Sequence, residues 1–399
     1  MKAWQFSSKI HDVTVTESGL AMKKTDSEES TLANISYKQS RTFTFALMIC
    51  GIPISRCNNA LSNLCRFGFL TCCILTFLNT CVCLTVKYSN FYSFTLVTKA
   101  AALVSWWSMY RKKNNYNALL KFLSDLKKKT KDKSRSHRSK YSIMGFFVFF
   151  FAILSPPIGM LILRLKGQSY KVVPTCHEFW IDMSQNGYVS YHFFLQLARQ
   201  LSNWGVPFSA TLFYSFYCNE LANRIEIFQK VLEQKRNFRT SAVLKIYAVI
   251  VKAILELEDS LSFGVLFVLF TNFAEAFRSF TLFFSISNLK AEIQRVIFPT
   301  AYFLQTTFLF MLLIYSADTV QRRFNSVRKS VLTLNVQEEK NIHEVFRRNL
   351  KIVEDRELVK LTAWGMVEIK RTLILTAVAS LITYGVLLSQ LSSESAKKM

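Results

Sequence analysis

The sequence predicts an all-α membrane protein with seven transmembrane helices, a cytosolic N-terminus and an extracellular C-terminus. Three observations lead there. Seven apolar blocks have the roughly 20-residue length needed to cross a bilayer core of about 30 Å. Only 11 Gly and 6 Pro occur in 399 residues, too few for turn-dense β, collagenous or Pro/Gly-rich disordered chains. The basic residues are also strongly sided. If the N-terminus is cytosolic, 39 of the 50 Lys and Arg fall in segments 1–66, 111–140, 217–260 and 317–371, against 8 on the opposite side. Positive residues stay on the cytoplasmic side.

Residues 1–40 are polar and charged, without an apolar stretch. We therefore expect disorder and no cleaved signal peptide, so that the first span targets the membrane itself. The run FTFALMICGIPI at 43–54 is too short to cross, and an interfacial or re-entrant segment is expected over 41–66. Spans one to four are predicted at 67–86, 91–110, 141–163 and 190–216. The second and fourth carry Lys99 and Arg199, which a multispan protein can turn inward. Pro156 and Pro157 would distort the third span. Residues 217–260 place Leu221, Ile225, Phe228, Val231 and Leu232 at helical spacing among charges, so the fourth and fifth spans should continue into the cytosol. Spans five and six are predicted at 261–285 and 296–316, followed by cytosolic anchor helices over 317–371 and the last span at 372–391. The anchor stretch carries Phe324, Val327, Val331, Val345, Phe346 and Ile352, a stripe that needs a partner.

The net charge of +24 first suggests nucleic acid or a membrane surface. The siting decides: loop 111–140 alone holds 12 basic residues, the pattern of a cytoplasmic loop against anionic lipid. Nucleic-acid binding would need aromatics interleaved on a soluble platform, and none is visible. Seven of the nine Cys (50, 57, 65, 72, 73, 81, 83) lie in or before the first span, where thiols act as small hydrophobes. Cys176 falls in a predicted outer loop and Cys218 in the fourth-span extension, so no disulfide framework is indicated. No metal site, cofactor site or enzyme motif is found. His343 and Glu344 sit on a charged amphipathic stretch and read as surface residues. The sequon at Asn34 lies on the cytosolic side and should be unused.

The last span has two different faces. Thr372, Thr376, Ser380, Thr383, Leu387 and Leu391 follow one another at steps of three or four, a hydroxyl stripe ending in two leucines. Ordinary helix packing explains such a stripe, because Ser and Thr bond their own backbone and are common between helices. A pore-lining helix explains it equally: hydroxyls keep the path wet and leucines gate by dewetting. The pore reading requires a cyclic oligomer, since one helix encloses nothing.

The stretch LTAWGMVEIKRTLILTAVASLITYGVLLSQL, 361–391, resembles the C-terminal signature of the insect gustatory receptors, a group related to olfactory receptors and the olfactory co-receptor. In that signature Thr-Tyr is followed by five mostly hydrophobic residues, Gln and usually Phe. Thr383 and Tyr384 are followed here by Gly-Val-Leu-Leu-Ser and Gln390, with Leu391 in the Phe position as in the co-receptor, while Ser389 breaks the hydrophobic run. FALMICGIPI resembles the Gly-x-Pro element that opens these receptors.

The resemblance implies a homotetrameric, tastant-gated, non-selective cation channel passing Na+, K+ and Ca2+ at the plasma membrane of a sensory dendrite. Other receptors could join the assembly. By position, Leu387 and Leu391 would be the gate and Gln390 its polar neighbour, with Tyr384, Thr383, Ser380 and Thr376 along the pore. A small-molecule ligand, sugar or bitter compound, would bind among spans two to six. Candidates there are Tyr188, Tyr191, His192 and Gln196, then Asn272 and Glu275, then Tyr302, Gln305 and Thr306. Glu275 is one turn from Arg278, and a structural ion pair competes with a ligand role. A G-protein-coupled receptor would need the opposite orientation, and a secondary transporter commonly has internal repeats, which are not evident.

Overall fold

Two helices of the computed structural model, α5 (Thr240–Phe284) and α6 (Ile293–Glu338), run for 45 and 46 residues. At 1.5 Å per residue each is roughly 68 Å long, about twice a bilayer core. Around them stand α1 (Asn59–Val86), α2 (Asn90–Arg111), α3 (Gln185–Gln200), α4 (Val206–Gln234) and α7 (Thr372–Lys397). The structure describes residues 47–52, 59–86, 90–116, 119, 122–123, 153–154, 158, 185–234, 240–284, 293–338 and 360–397, all within one compact unit, Gln39–Met399. Nearly all of the predicted third span lies outside the described residues. So do residues 1–40 with Asn34, and Cys57, Cys176, His343, Glu344, Val345, Phe346 and Ile352.

Within α1 the stripe Phe69, Cys73, Thr76, Thr80 and Cys83 is buried, while Leu61, Leu64, Phe67, Ile74, Leu75, Leu78 and Val82 face outward. Its exposed threonines return their hydroxyls to the helix backbone, Thr71 to Phe67 O at 2.8 Å and Thr85 to Val82 O at 2.9 Å, so the outward face stays apolar. Ala60–Thr85 and Pro299–Val331 are each long and apolar enough to cross a membrane, and Thr372–Leu387 is a shorter apolar stretch. Helix α2 packs on α5 through small residues: Ser105 Oγ donates to Gly264 O at 3.4 Å, and a Cβ at Gly264 would touch Met109 and Ser108. Leu47, Cys50 and Ile52, from the first apolar run, are wholly buried, and Trp106 Nε1 donates to Cys50 O at 2.9 Å. Gly51 there has φ +72°, which a side chain would adopt only with strain.

Below the predicted spans, α4, α5 and α6 pack together. Leu221, Ile225 and Phe228 of α4, Ile250, Ile254 and Leu257 of α5, and Phe324 and Val327 of α6 are buried, while Val231 is half-buried. If water surrounds this part, as the sequence predicts, each such side chain contributes about 1.5–3 kcal/mol. Tyr247 stacks on Phe324 at 5.6 Å. Arg323 ties α6 to α4 through Asn223 Oδ1 at 3.0 Å and Glu226 at 2.9 Å. A hydrogen bond from Lys230, helped by Arg323, holds the Glu226 carboxyl below its ordinary range despite some burial. Arg224 is buried against Glu220 at 2.6 Å.

Residues 360–371, expected to be helical, instead form a hairpin. Strands β1 (Thr362–Ala363) and β2 (Val367–Glu368) pair antiparallel, Thr362 opposite Glu368 and Ala363 opposite Val367. Trp364 (φ 54°) and Gly365 (φ 69°) both sit in the left-handed region, which no α-helix tolerates. Helix side chains supply what the short ladder lacks. Gln321 Nε2 of α6 donates to Leu361 O and Ile369 O, each at 3.2 Å, and Glu258 of α5 accepts from Thr362 N at 3.0 Å and from the Thr362 hydroxyl. Trp364 meets Phe263 edge-on at 5.1 Å. Arg371 and Arg322 share Asp318 at 2.7 and 2.8 Å, fixing the entry to α7.

Burial pushes the Glu258 carboxyl above its ordinary 4.5, partly offset by the Thr362 hydrogen bonds. For an acid with a raised folded pKa, stability is full below the ordinary value and declines as pH rises through the folded one. Thermal melts should therefore show the Glu258→Gln chain gaining on the native chain as pH climbs above 4.5. Glu258→Ala should lose about 1–3 kcal/mol by stranding the Thr362 amide. A constant difference between the native chain and the Gln variant across pH would contradict this.

Candidate functional site

Within the upper half of the bundle the helix that follows α3 is not regular. Leu201–Gly205 form a single π-helical turn between α3 and α4. Pro207 explains it: with no N–H to return to the preceding turn and a ring that crowds that turn's carbonyl, proline forces the helix to widen. Gly205 makes room, since a Cβ there would meet Cys50 Sγ at 3.1 Å and Leu201 Cδ1 at 3.2 Å. Such turns are frequent at functional sites.

This turn carries Ser202 and Trp204 inward. Trp204 stacks almost parallel on Tyr302 of α6, ring centres 5.6 Å apart. Gln200 Nε2 donates to the Tyr302 hydroxyl. Ser202 Oγ shares a hydrogen bond with Thr76 Oγ1 of α1 at 3.1 Å. The carbonyl of the same Thr76 accepts from Lys99 Nζ of α2 at 2.6 Å, and Thr80 Oγ1 accepts from it as well, also at 2.6 Å. Arg199 acts electrostatically on both Lys99 and Tyr302, and Glu275 and Arg278 act on Tyr302. Residues from α1, α2, α3, the π turn, α5 and α6 thus form one polar belt inside the bundle. A charged lysine at the centre of a spanning helix costs about 2.5–3.5 kcal/mol on insertion scales, so intramembrane ionisable groups mark functional positions by default.

The structure brings together part of the sequence-predicted ligand set. Tyr302 lies in the belt, and Thr306, fully buried, returns its hydroxyl to Tyr302 O at 2.9 Å. Glu275 is buried and pairs with Arg278 at 2.5 Å. Asn272, one turn before Glu275 on α5, is fully buried with neither amide atom bonded. Gln305 Nε2 and Gln200 Oε1 likewise have no partner. Gln196 is half-buried, and the side chains of Tyr188, Tyr191 and His192 lie outside the described residues although their backbone is within α3. Sequence reasoning omitted Gln200, Ser202 and Trp204. Pro207 inside an apolar run was the signal that could have located the turn.

On α7 the hydroxyls of Thr376, Ser380 and Thr383 return to carbonyls four residues back, at 3.2, 2.9 and 2.9 Å. The helix docks on α5 and α6 along Ile374, Ala377, Leu381 and buried Gly385, and Tyr384 meets Phe277 edge-on at 5.5 Å. At about 100° per residue, Thr376, Thr383 and Leu387 fall on the side opposite that docked line. They are exposed, Leu387 by 47%, as is Gln390, while the Leu391 side chain lies outside the described residues. A third, apolar side of Leu375, Ile382 and Val386 is exposed too.

No protein-family model and no curated protein matches the chain by sequence. Solved structures do match. The insect olfactory receptor OR5 from Machilis hrabei, in complex with eugenol, superposes with a TM-score of 0.64 at 13% identity, covering 90% of this chain and 99% of that one. A second structure of the same receptor gives a TM-score of 0.58 at 11% identity, with the same coverage. This chain therefore has the fold of the insect olfactory receptors.

Proposed function

We propose that this chain is the subunit of a homotetrameric, ligand-gated, non-selective cation channel of the insect chemoreceptor superfamily, in its gustatory branch. The observation that carries the reading is α7, whose stripe of Thr376, Thr383 and Leu387 points away from its own bundle and is covered by nothing in one protomer. Four copies around an axis would turn those stripes into a hydroxylated conduit closed by Leu387 and Leu391, with Gln390 between them. The olfactory receptor fold supports the channel reading, and Thr383-Tyr384 followed by Gln390 supports the gustatory branch. The N-terminus and the extensions of α4 to α6 would lie in the cytosol and hold the tetramer, in the plasma membrane of a sensory cell.

The ligand, a small molecule such as a sugar or bitter compound, would occupy the polar belt around Trp204 and Tyr302. OR5 of Machilis hrabei was solved with eugenol, which supports a small organic ligand. Binding would spread the bundle and draw α7 off the axis. No group in the belt is arranged for bond-making chemistry, so an enzymatic role is not part of the reading.

The test is whole-cell recording in a heterologous cell expressing only this chain, against sugars and bitter compounds, with native mass measurement of the purified complex. Ligand-evoked cation current and a mass four times that of the chain are expected. A monomeric mass, or responses that vanish when G-protein signalling is blocked, would overturn the proposal.

A further inference from the structure

We infer that the ligand of this channel is a small organic acid bound as its carboxylate, with the Lys99 ammonium as its counter-charge. The inference rests on the channel reading above and specifies the chemistry of its site.

Lys99 is 5% exposed and is held only by neutral oxygens, Thr76 O and Thr80 Oγ1, each at 2.6 Å. An ammonium has three donors, so one N–H remains unused. The surrounding charges do not neutralise it. Facing it from α3 is Arg199, a second cation. Among the described residues the buried carboxylates are Glu275 and Asp318. Glu275 is engaged by Arg278 at 2.5 Å, and Asp318 lies at the base of α6 between Arg322 and Arg371. Helix α1 contributes hydroxyls, carbonyls and thiols opposite Lys99 and holds no Asp or Glu.

A lysine buried in a low-dielectric site keeps its charge only where an anion answers it, and a bound carboxylate would be that anion. A cationic ligand would meet Lys99 and be repelled. A neutral polyol would leave the ammonium uncompensated. A carboxylate accepts charge-assisted hydrogen bonds on two oxygens and answers the unused donor. Aromatic surface lies next to this group: Thr76 links Lys99 to Ser202, and one residue on from the Ser202–Asn203 pair Trp204 stacks on Tyr302. An apolar or aromatic acid has that composition, with Gln200 Oε1 free to accept a hydrogen bond from a ligand hydroxyl.

The experiment records currents at about pH 7, where carboxylic acids are ionised, from the full chain and from Lys99→Met, Lys99→Arg and Leu387→Thr. The probes are hexanoate, benzoate and phenylacetate, their three primary amides, and glucose. Current evoked by one or more acids and not by its amide is expected. Lys99→Met should shift the half-maximal concentration of that acid about tenfold or more, with Lys99→Arg recovering most of it. A purely structural lysine would change expression or maximal current without altering the choice between acid and amide. Amides or glucose opening the channel as well as the acids do, an acid response untouched by Lys99→Met, or silence to every acid while Leu387→Thr conducts at rest would each overturn the inference and leave the channel reading standing. A Leu387→Thr chain that reaches the surface and carries no current would defeat the channel reading itself.

Discussion

Replacing Leu387 by threonine should raise the resting cation conductance of the assembled channel about tenfold or more. A leucine ring closes a pore because its methyl groups offer water nothing, and the dry state is favoured over a wet one. Each exposed leucine withdrawn from water contributes about 1.5–3 kcal/mol, and a cyclic assembly repeats the residue in every subunit. Threonine supplies a donor and an acceptor in nearly the same space. A shift of only 1.4 kcal/mol in the open-closed equilibrium is already a factor of ten. The matched control is Ile382→Thr: Ile382 is 57% exposed, but on the apolar side of α7, away from the hydroxyl stripe. It should leave resting current unchanged. Leu391→Thr, one turn outward, should act in the same direction as Leu387→Thr. Resting leak at the native level in both leucine variants, with normal surface expression, would remove these residues from the gate.

The long helices were legible because they depend on periodicity and length, which a sequence states directly. Leu221, Ile225 and Phe228 recur at helical spacing among charges, and the structure buries that stripe against α5 and α6. Lys99 and Arg199 were visible as blemishes in apolar runs, and their placement inside the bundle follows from the cost of facing lipid. Other features depend on tertiary partners and left weaker traces. The hairpin at 362–368 sits in a chain segment with ordinary helical composition. It exists because Gln321 and Glu258, 40 and 104 residues away from their partners, satisfy its backbone, and because Trp364 and Gly365 take left-handed conformations. Tyr302 was named as a ligand candidate, whereas Trp204 read as one among many aromatics; the stacking of one on the other was not visible. The hydroxyl stripe of α7 was readable, but which side of the helix meets its own bundle was not, since that is decided by Ile374, Leu381 and Gly385 against α5 and α6.

Deleting Asn203 should weaken the ligand response about thirtyfold or more while leaving the channel able to open by other means. A π turn holds one residue more than an α turn requires, so removing one from Leu201–Gly205 takes away the widening that accommodates Pro207. Asn203 is the residue to remove because it is half-buried, whereas Ser202, Trp204 and Gly205 are buried in contacts. The flanking helices are anchored independently: Trp106, Cys50 and Ser209 fix the inner side, and the buried stripe of α4 fixes the rest. The loss therefore concentrates at the turn, where Trp204 would no longer be held by the widened backbone parallel to Tyr302 and Ser202 would lose its bond to Thr76. One misaligned stacking contact and one lost buried hydrogen bond together amount to roughly 2–3 kcal/mol, a thirtyfold or greater loss in ligand potency. In the Leu387→Thr background the same deletion should leave resting current intact, because the gate lies on a different helix. An unchanged dose-response in the deletion chain would mean that the π turn is a packing accommodation to Pro207 alone, and that ligands are read elsewhere. Loss of resting current together with the response would instead place the defect in folding or assembly, which the thermal melt of the purified complex reports directly.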